Sequence, residues 1–160
     1  MAGTIAKLLR QRHPFSSTEQ EALLGLRMAA ARLLVPWAQF LKTNADLTTS
    51  QYNVLRILRG SHPNGLTCGE IGERTVAHDP DVTRLVDRLS KRGLVKRTRS
   101  RTDRRVVQVG ITRTGLDLLH ELDPHVERLP RALLGHVSQE RLRQLAGLLD
   151  EVLDGMGTFP

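Results

Sequence analysis

Apolar side chains recur every three or four residues along most of the chain, a spacing typical of amphipathic helices. One such stripe runs from Leu23 to Leu41 and predicts a long first helix that begins near Ser17. Pro36 lies within the stripe, and we expect it to kink this helix or to end it near Val35, because proline lacks an amide hydrogen. The first 15 or so residues are mixed and basic, and they predict an arm or a short helix.

Two shorter helices with matching start signals follow the long one. In each, a threonine stands three residues before a glutamine or glutamate, so that each side chain can bond the other residue's backbone amide. These pairs are Thr48 with Gln51 and Thr67 with Glu70. We expect the first helix to reach about Gly60 and the second to fade near Val76, with a turn over residues 62–65 between them.

The next helix divides most clearly into two faces. Asp79 followed by Pro80 predicts its start, since aspartate caps helices and proline favours the first helical position, and Gly93 predicts its end. The apolar face carries Val82, Leu85, Val86 and Leu89. The opposite face carries Arg84, Asp87, Arg88 and Lys91. This helix, expected over 80–92, therefore buries one side and leaves the other available to a partner.

After Gly93 the apolar period changes to two residues, which is typical of β-strands. A basic strand is predicted over 95–99, a turn over 101–104 and a return strand over 107–111. Three helices followed by a hairpin predict a winged helix-turn-helix domain over residues 47–112. The fold class is thus mainly α with a small β element (α+β).

The C-terminal part is rich in leucine, with 12 leucines in residues 113–160. One helix is expected to open at Thr112 and a last one to start after Ser138. Two prolines are expected to kink or split the first of these helices, namely Pro124 and Pro130. Two lone helices cannot hide so much apolar surface. We therefore expect the segments that flank the winged helix, 1–46 and 113–160, to form a dimerisation domain.

Charge is concentrated in one segment of the chain. The protein has 24 Lys+Arg and 17 Asp+Glu, a formal net charge of +7. Residues 79–113 hold eleven basic and four acidic residues, and the rest of the chain holds thirteen of each. A neutral body with one cationic segment indicates a polyanionic partner.

Other classes of protein fit the sequence poorly. The lone Cys68 cannot form an intramolecular disulfide, the N-terminus lacks a signal-peptide core, and no apolar run reaches the roughly 18 residues of a membrane span. We expect a cytoplasmic protein without membrane contact. The histidines lack compact ligand spacing and no acid, base and nucleophile converge, so we expect no metal, no cofactor and no enzymatic activity. Cys68 at a helix start permits a redox role or plain packing.

Several of these segments together resemble the MarR family of bacterial transcriptional regulators. The matching segments are Leu66-Thr67-x-x-Glu70-Ile71, Val82 to Val95, Asp103-Arg104-Arg105 and Ile111-Thr112-x-x-Gly115. The resemblance covers about residues 20–155. It implies a winged-helix homodimer whose terminal helices dimerise and whose helix at 80–92 enters the major groove of DNA. It also implies a repressor released by a small ligand, often an aromatic acid, or by thiol oxidation.

The residues predicted to contact DNA come from that helix and from the wing. They are Asp81, Thr83, Arg84, Arg88, Lys91, Arg97, Arg99, Arg101, Asp103, Arg104 and Arg105. Arginines four residues apart on a helix can bond guanine or phosphate. Asp81 can repel phosphate or accept a hydrogen bond from cytosine, and the sequence leaves both open. The resemblance implies that Asp103 braces the wing and that Arg105 reaches the minor groove.

A small aromatic effector is a further expected ligand. Trp37 and Phe40 are candidates to line its pocket between the dimerisation and DNA-binding parts, although packing in a helix face is the simpler explanation of both. We interpret the whole chain as a sequence-specific regulator that binds a pseudo-palindromic operator as a homodimer. The alternatives are a winged-helix module that binds an acidic protein partner and an architectural protein that binds DNA without regard to sequence.

Overall fold

The computed structural model describes residues 3–75, 81–99 and 106–156. Within them the chain forms seven helices and one two-stranded antiparallel sheet. In chain order these are α1 (Thr4–Leu8), α2 (Thr18–Ala45), α3 (Thr49–Gly60), α4 (Cys68–Glu73), α5 (Val82–Lys91), β1 (Val95–Arg99), β2 (Val107–Ile111), α6 (Arg113–Leu134) and α7 (Gln139–Gly155). The mainly helical fold with one hairpin confirms the predicted fold class.

Helix α2 begins where the sequence predicts but does not stop at its proline. The Ser17 side chain accepts a hydrogen bond from the Gln20 amide at 3.2 Å and caps the helix. The helix then runs through Pro36 to Ala45, so the expected end near Val35 is wrong. Proline removes one amide donor, which the carbonyl of Arg32 would have used. Because Arg32 is exposed, water can supply the missing donor.

Helices α6 and α7 lie on either side of Ser138, whose side chain caps α7. Helix α6 continues through both of its prolines, so Pro124 and Pro130 do not split it. The kink that the sequence also allows at these prolines stays a prediction. The chain divides into two compact units, Met1–Leu122 and Asp123–Pro160. The predicted domain boundaries at 46/47 and 112/113 remain predictions.

The short helices α3, α4 and α5 start on local signals. The predicted capping boxes at Thr48 with Gln51 and at Thr67 with Glu70 are both present, which confirms them. Helix α4 ends at Glu73, three residues earlier than expected. The start of α5 was assigned wrongly, because its cap is Asp81 rather than Asp79. Asp79 and Pro80 themselves lie outside the described residues.

Strands β1 and β2 pair in register from Val95 with Ile111 to Arg99 with Val107. A bridge to Leu66 extends this pair, since the Leu66 amide bonds the Val109 carbonyl at 2.9 Å and the Val109 amide bonds the Leu66 carbonyl at 2.7 Å. The segment before α4 therefore supplies the support that an isolated hairpin lacks. The predicted turn over 101–104 lies outside the described residues.

The core lies beneath α3, α5 and the hairpin. Its fully buried members include Leu41, Leu47, Tyr52, Leu55, Leu58, Ile71, Val86, Leu89, Val109 and Leu119. The apolar face predicted for α5 is buried throughout, which leaves the opposite face of that helix toward solvent.

Gly115 joins α6 to the hairpin by close backbone contact. The Thr112 hydroxyl donates to the Gly93 carbonyl at 2.6 Å and accepts from the Gly115 amide at 3.1 Å. A Cβ at position 115 would overlap the Leu94 carbonyl oxygen and lie 2.7 Å from the Ile111 Cγ1. Because a backbone carbonyl cannot move aside as a flexible side chain can, we expect Gly115→Ala to lower the free energy of unfolding by about 1–3 kcal/mol.

Urea unfolding at a fixed protein concentration measures this effect. Gly60→Ala is the matched control, since Gly60 is the exposed last residue of α3 and a Cβ there meets open space. Its expected change is at most about 1 kcal/mol. Equal midpoints for the two variants would contradict the close-packing explanation of Gly115.

Candidate nucleic-acid interface

Helix α5 has two faces that differ in chemistry. Thr83, Arg84, Arg88 and Lys91 are exposed, whereas the apolar residues between them are buried. The spacing of four and then three residues puts the three cations in one row along the helix. Such a row is suited to the major groove, where guanidinium groups bond guanine O6 and N7 and contact phosphates.

Asp81 is engaged at the N-terminus of α5. One of its carboxylate oxygens accepts a hydrogen bond from the Arg84 amide at 3.2 Å, and the other lies 3.0 Å from the Arg84 Nε. Asp81 therefore caps the helix and orients the Arg84 side chain, which is 78% exposed. Its predicted contact with DNA remains a prediction.

Arg97 joins the root of the wing to α5. Its Nη1 lies 2.6 Å from the Asp87 Oδ1, and its Nη2 donates to the Thr83 carbonyl at 3.4 Å. The two groups that it meets lie one turn apart on α5. The sequence predicts that Arg97 contacts DNA, and this remains a prediction, but in the structure its guanidinium group bonds two groups of α5.

The outer part of the hairpin is only partly described. Lys96, Thr98 and Arg99 are exposed on β1. Four residues predicted to contact DNA lie outside the described residues: Arg101, Asp103, Arg104 and Arg105. Their roles, including the bracing by Asp103 and the minor-groove contact of Arg105, remain predictions.

Arg92, which follows α5, connects it to the end of α2. Its guanidinium donates to the Ala45 carbonyl at 2.7 Å and to the Asp46 carbonyl at 2.8 Å. The Asp46 side chain pairs with Lys42, and this hydrogen bond and charge, together with the charge of Arg92, hold the pKa of Asp46 below its usual value. Sequence reasoning missed Arg92, because its partners are backbone atoms 46 and 47 residues away.

Helix α4 begins with the capping box that the sequence predicts. The Glu70 carboxylate accepts from the Thr67 amide at 2.7 Å and from the Thr67 hydroxyl at 2.8 Å. These hydrogen bonds lower the pKa of Glu70. Cys68, the first residue of α4, is half-buried. This cap fixes the start of the first helix of the helix-turn-helix.

Trp37, a residue of α2, contacts α3 through its aromatic ring. Its ring stacks on Phe40 with centroids 6.0 Å apart and meets the Tyr52 ring of α3 edge-on at 5.1 Å. Trp37 and Phe40 are half-buried and Tyr52 is buried. A cavity of about 650 Å³ lies elsewhere, among residues of the N-terminal segment that include Arg12, His13 and Glu21. The predicted effector site at Trp37 and Phe40 remains a prediction.

In the part of the chain that the structure describes, no group of three or more His, Cys, Asp or Glu side chains is arranged to hold a metal ion. No helix in that part of the chain is both long and apolar enough to cross a membrane.

Comparison with known proteins points to one family. A sequence model described as the MarR family matches residues 45–106, which contain α3, α4, α5 and β1. The chain is 26% identical over 132 residues to the homoprotocatechuate degradative operon repressor of Escherichia coli, covering 82% of this chain and 85% of the relative.

Solved structures agree with that match. The crystal structure of a MarR transcription factor from Planctomyces limnophilus is 39% identical, with a TM-score of 0.64, and the match covers 86% of this chain and 98% of that one. A structure of Bordetella bronchiseptica BpsR, described with the regulation of its DNA binding by 6-hydroxynicotinic acid, is 26% identical with a TM-score of 0.76. That match covers 90% of this chain and all of BpsR.

Proposed function

This chain belongs to the MarR family of DNA-binding transcriptional regulators, is not an enzyme, and we propose that it represses genes by binding a pseudo-palindromic operator as a homodimer. The observation that carries this proposal is the exposed row of Arg84, Arg88 and Lys91 on α5 beside a basic hairpin. The row fits a major groove, and the hairpin fits the neighbouring minor groove. A regulator of this kind acts where the chromosome lies, so we place it in the cytoplasm.

Exposed apolar side chains support the homodimer. Helix α7 has no buried residue, yet Leu145, Leu148 and Val152 line one side of it and are 45%, 59% and 49% exposed. Helix α2 exposes Leu23, Leu26 and Leu34 in the same way. Apolar patches of this kind mark contact surfaces with another chain. A second copy satisfies them and supplies the second α5 that a two-fold symmetric operator requires.

The names and descriptions of the relatives support two further parts of the proposal: that this protein represses genes and that a ligand releases it from DNA. The E. coli relative is named a repressor, and BpsR is described as regulated by 6-hydroxynicotinic acid. We propose that a small aromatic acid releases this protein from DNA by binding beside Trp37 and Phe40. The support in this chain is that the ring of Trp37, on α2, packs against Tyr52 of α3. A ligand at that ring would therefore lie where the proposed dimerisation helix meets the proposed DNA-binding region.

Selection of DNA from a random pool tests the proposed function. We expect the purified protein to enrich a two-fold symmetric site with half-site centres about 10 base pairs apart, one turn of the double helix. A single unrepeated half-site would contradict the homodimer. Equal affinity for random and selected DNA would favour an architectural protein. No DNA binding, with stable capture of an acidic protein, would favour an interaction module.

The same selection identifies the signal when it is repeated with additives. Release by an aromatic acid, abolished in Trp37→Ala, is the expected result. Release by peroxide, abolished in Cys68→Ser, would instead assign the sensing role to the half-buried thiol of α4.

A further inference from the structure

The contact between Arg97 and α5 assigns that arginine a function different from the one its charge suggests. Arg97 reaches two groups on one side of α5, the Asp87 carboxylate at 2.6 Å and the Thr83 carbonyl at 3.4 Å. We use the name wing clamp for three groups together: the Arg97 guanidinium, the Asp87 carboxylate and the Thr83 carbonyl. It connects the first turn and the middle of the helix to the first strand of the hairpin.

Strand geometry explains why Arg97 and no neighbour makes this contact. Side chains alternate along a strand, so Arg97 lies on the same face of β1 as the buried Val95. That face packs toward α5, whereas Lys96 and Thr98 lie on the other. Arg97 pairs with Val109 on β2, a fully buried residue, so the clamp lies at the root of the hairpin.

The clamp lies beside the residues predicted to contact bases. Thr83 immediately precedes Arg84, and Asp87 immediately precedes Arg88. Arg84 and Arg88 are the two arginines of the exposed row. A rotation of the hairpin about its root would therefore change the separation between the arginine row and the wing. In the proposed complex, α5 enters the major groove and the hairpin enters the adjacent minor groove. Because DNA fixes the spacing of these grooves, a change in that separation weakens specific binding.

We infer that Asp87 and Arg97 are positioning residues that hold the wing at a fixed angle to α5, and that Arg97 does not serve as a phosphate contact. This inference rests on the proposed DNA-binding function. Its electrostatic consequence is distinctive. A cation already paired with a carboxylate releases few DNA counterions, so the loss of Arg97 changes the affinity without changing the salt dependence.

A double-mutant cycle on the full-length protein tests the inference. Asp87→Gln, Arg97→Gln and the double variant are titrated with selected DNA over a range of salt concentrations. We expect each single variant to bind roughly three- to tenfold more weakly and the double variant to bind no more weakly than the singles, because partners in one contact are not additive. Hydroxyl-radical protection of the minor groove beside the α5 site should fall in all three.

Arg99→Gln is the matched control. Arg99 lies on the same strand and the same face as Arg97, is exposed, and has no ion-pair partner among the described residues. As a phosphate contact, its loss should reduce the slope of log K against log salt by about 0.9 for each protomer of the dimer and leave minor-groove protection in place. The slope for Arg97→Gln should stay at the wild-type value. Arg97→Lys should restore affinity only in part, since it loses the fork that reaches two groups.

Hydrogen exchange without DNA separates failure of the inference from failure of the proposed function. We expect the amides of β1 to exchange faster in Asp87→Gln and Arg97→Gln than in the wild type, with urea midpoints showing that each variant folds. Unchanged exchange would overturn the clamp even if the protein binds DNA. Additive losses, or a slope lowered by about 0.9 for each protomer in Arg97→Gln with intact protection, would make Arg97 a phosphate contact. A wild-type protein that binds no DNA would refute the proposed function, while the exchange result still decides whether the clamp holds the wing.

Discussion

Leu89→Ala is expected to lower the free energy of unfolding by about 2–5 kcal/mol, the range for removing a large buried aliphatic side chain. Leu89 is fully buried on the inner face of α5. Its backbone carbonyl accepts the hydrogen bond from the Leu94 amide that ends the helix. The cavity left by alanine would therefore lie between the recognition helix and the core, next to the turn that leads into the wing.

Urea unfolding followed by circular dichroism measures this loss, at one protein concentration because a dimer's stability depends on concentration. Lys91→Ala, an exposed position on the same helix, is the control and should stay within about 0.5 kcal/mol of the wild type. A Leu89→Ala variant as stable as the control would mean that α5 does not pack on the core as described.

Arg88→Ala is expected to have the opposite profile, with folding kept and specific DNA binding lost. Arg88 is exposed in the middle of the cationic row on α5. If it bonds a base edge, its removal should weaken binding to selected DNA by about 1–3 kcal/mol, roughly 5- to 150-fold, and relax the sequence preference at one position of each half-site. The urea midpoint should stay near that of the wild type, because Arg88 is exposed.

Titration of each variant with selected DNA and with random DNA at one salt concentration gives the answer. Arg113→Ala is the control, since Arg113 is an exposed arginine in the same basic segment but pairs with Asp117 on α6, at 3.0 Å. We expect its ratio of selected to random affinity to match the wild type. An unchanged affinity in Arg88→Ala would remove Arg88 from the interface, and an equal loss on both DNAs would make it a phosphate contact.

Features that depend on a few neighbouring residues were predictable from the sequence. The caps at Thr48, Thr67 and Ser138 follow from hydrogen bonds that span three residues, and all three are present. The two faces of α5 follow from the helical period and the burial of its apolar side chains. The predicted start of α5 is wrong, because Asp79 and Asp81 both precede the helical pattern and an aspartate at either position can cap a helix. Local chemistry alone does not distinguish between these two positions.

Proline marks a place where local rules fall short. Pro36, Pro124 and Pro130 each remove one amide donor, and the sequence predicts a kink or an interruption at each. The helices continue through all three. Whether one lost hydrogen bond ends a helix depends on the side chains that pack around the proline and on whether water reaches the carbonyl left without a donor. Neither can be predicted from the neighbouring residues alone.

The sequence by itself determined the order of elements, the cationic face of α5 and the placement of all the net charge between residues 79 and 113, because helical period, strand period and charge are properties of short segments. Only the tertiary structure decided how that charge is used. It pairs Arg97 with Asp87 across a turn between helix and strand, and it directs Arg92 to carbonyls at the end of α2. The physical reason is that an arginine bonds the acceptors that the folded backbone brings within about 3 Å. Arginines that look alike in the sequence therefore differ in the structure: Arg92 bonds the end of α2, Arg97 bonds α5, and Arg88 is exposed to solvent.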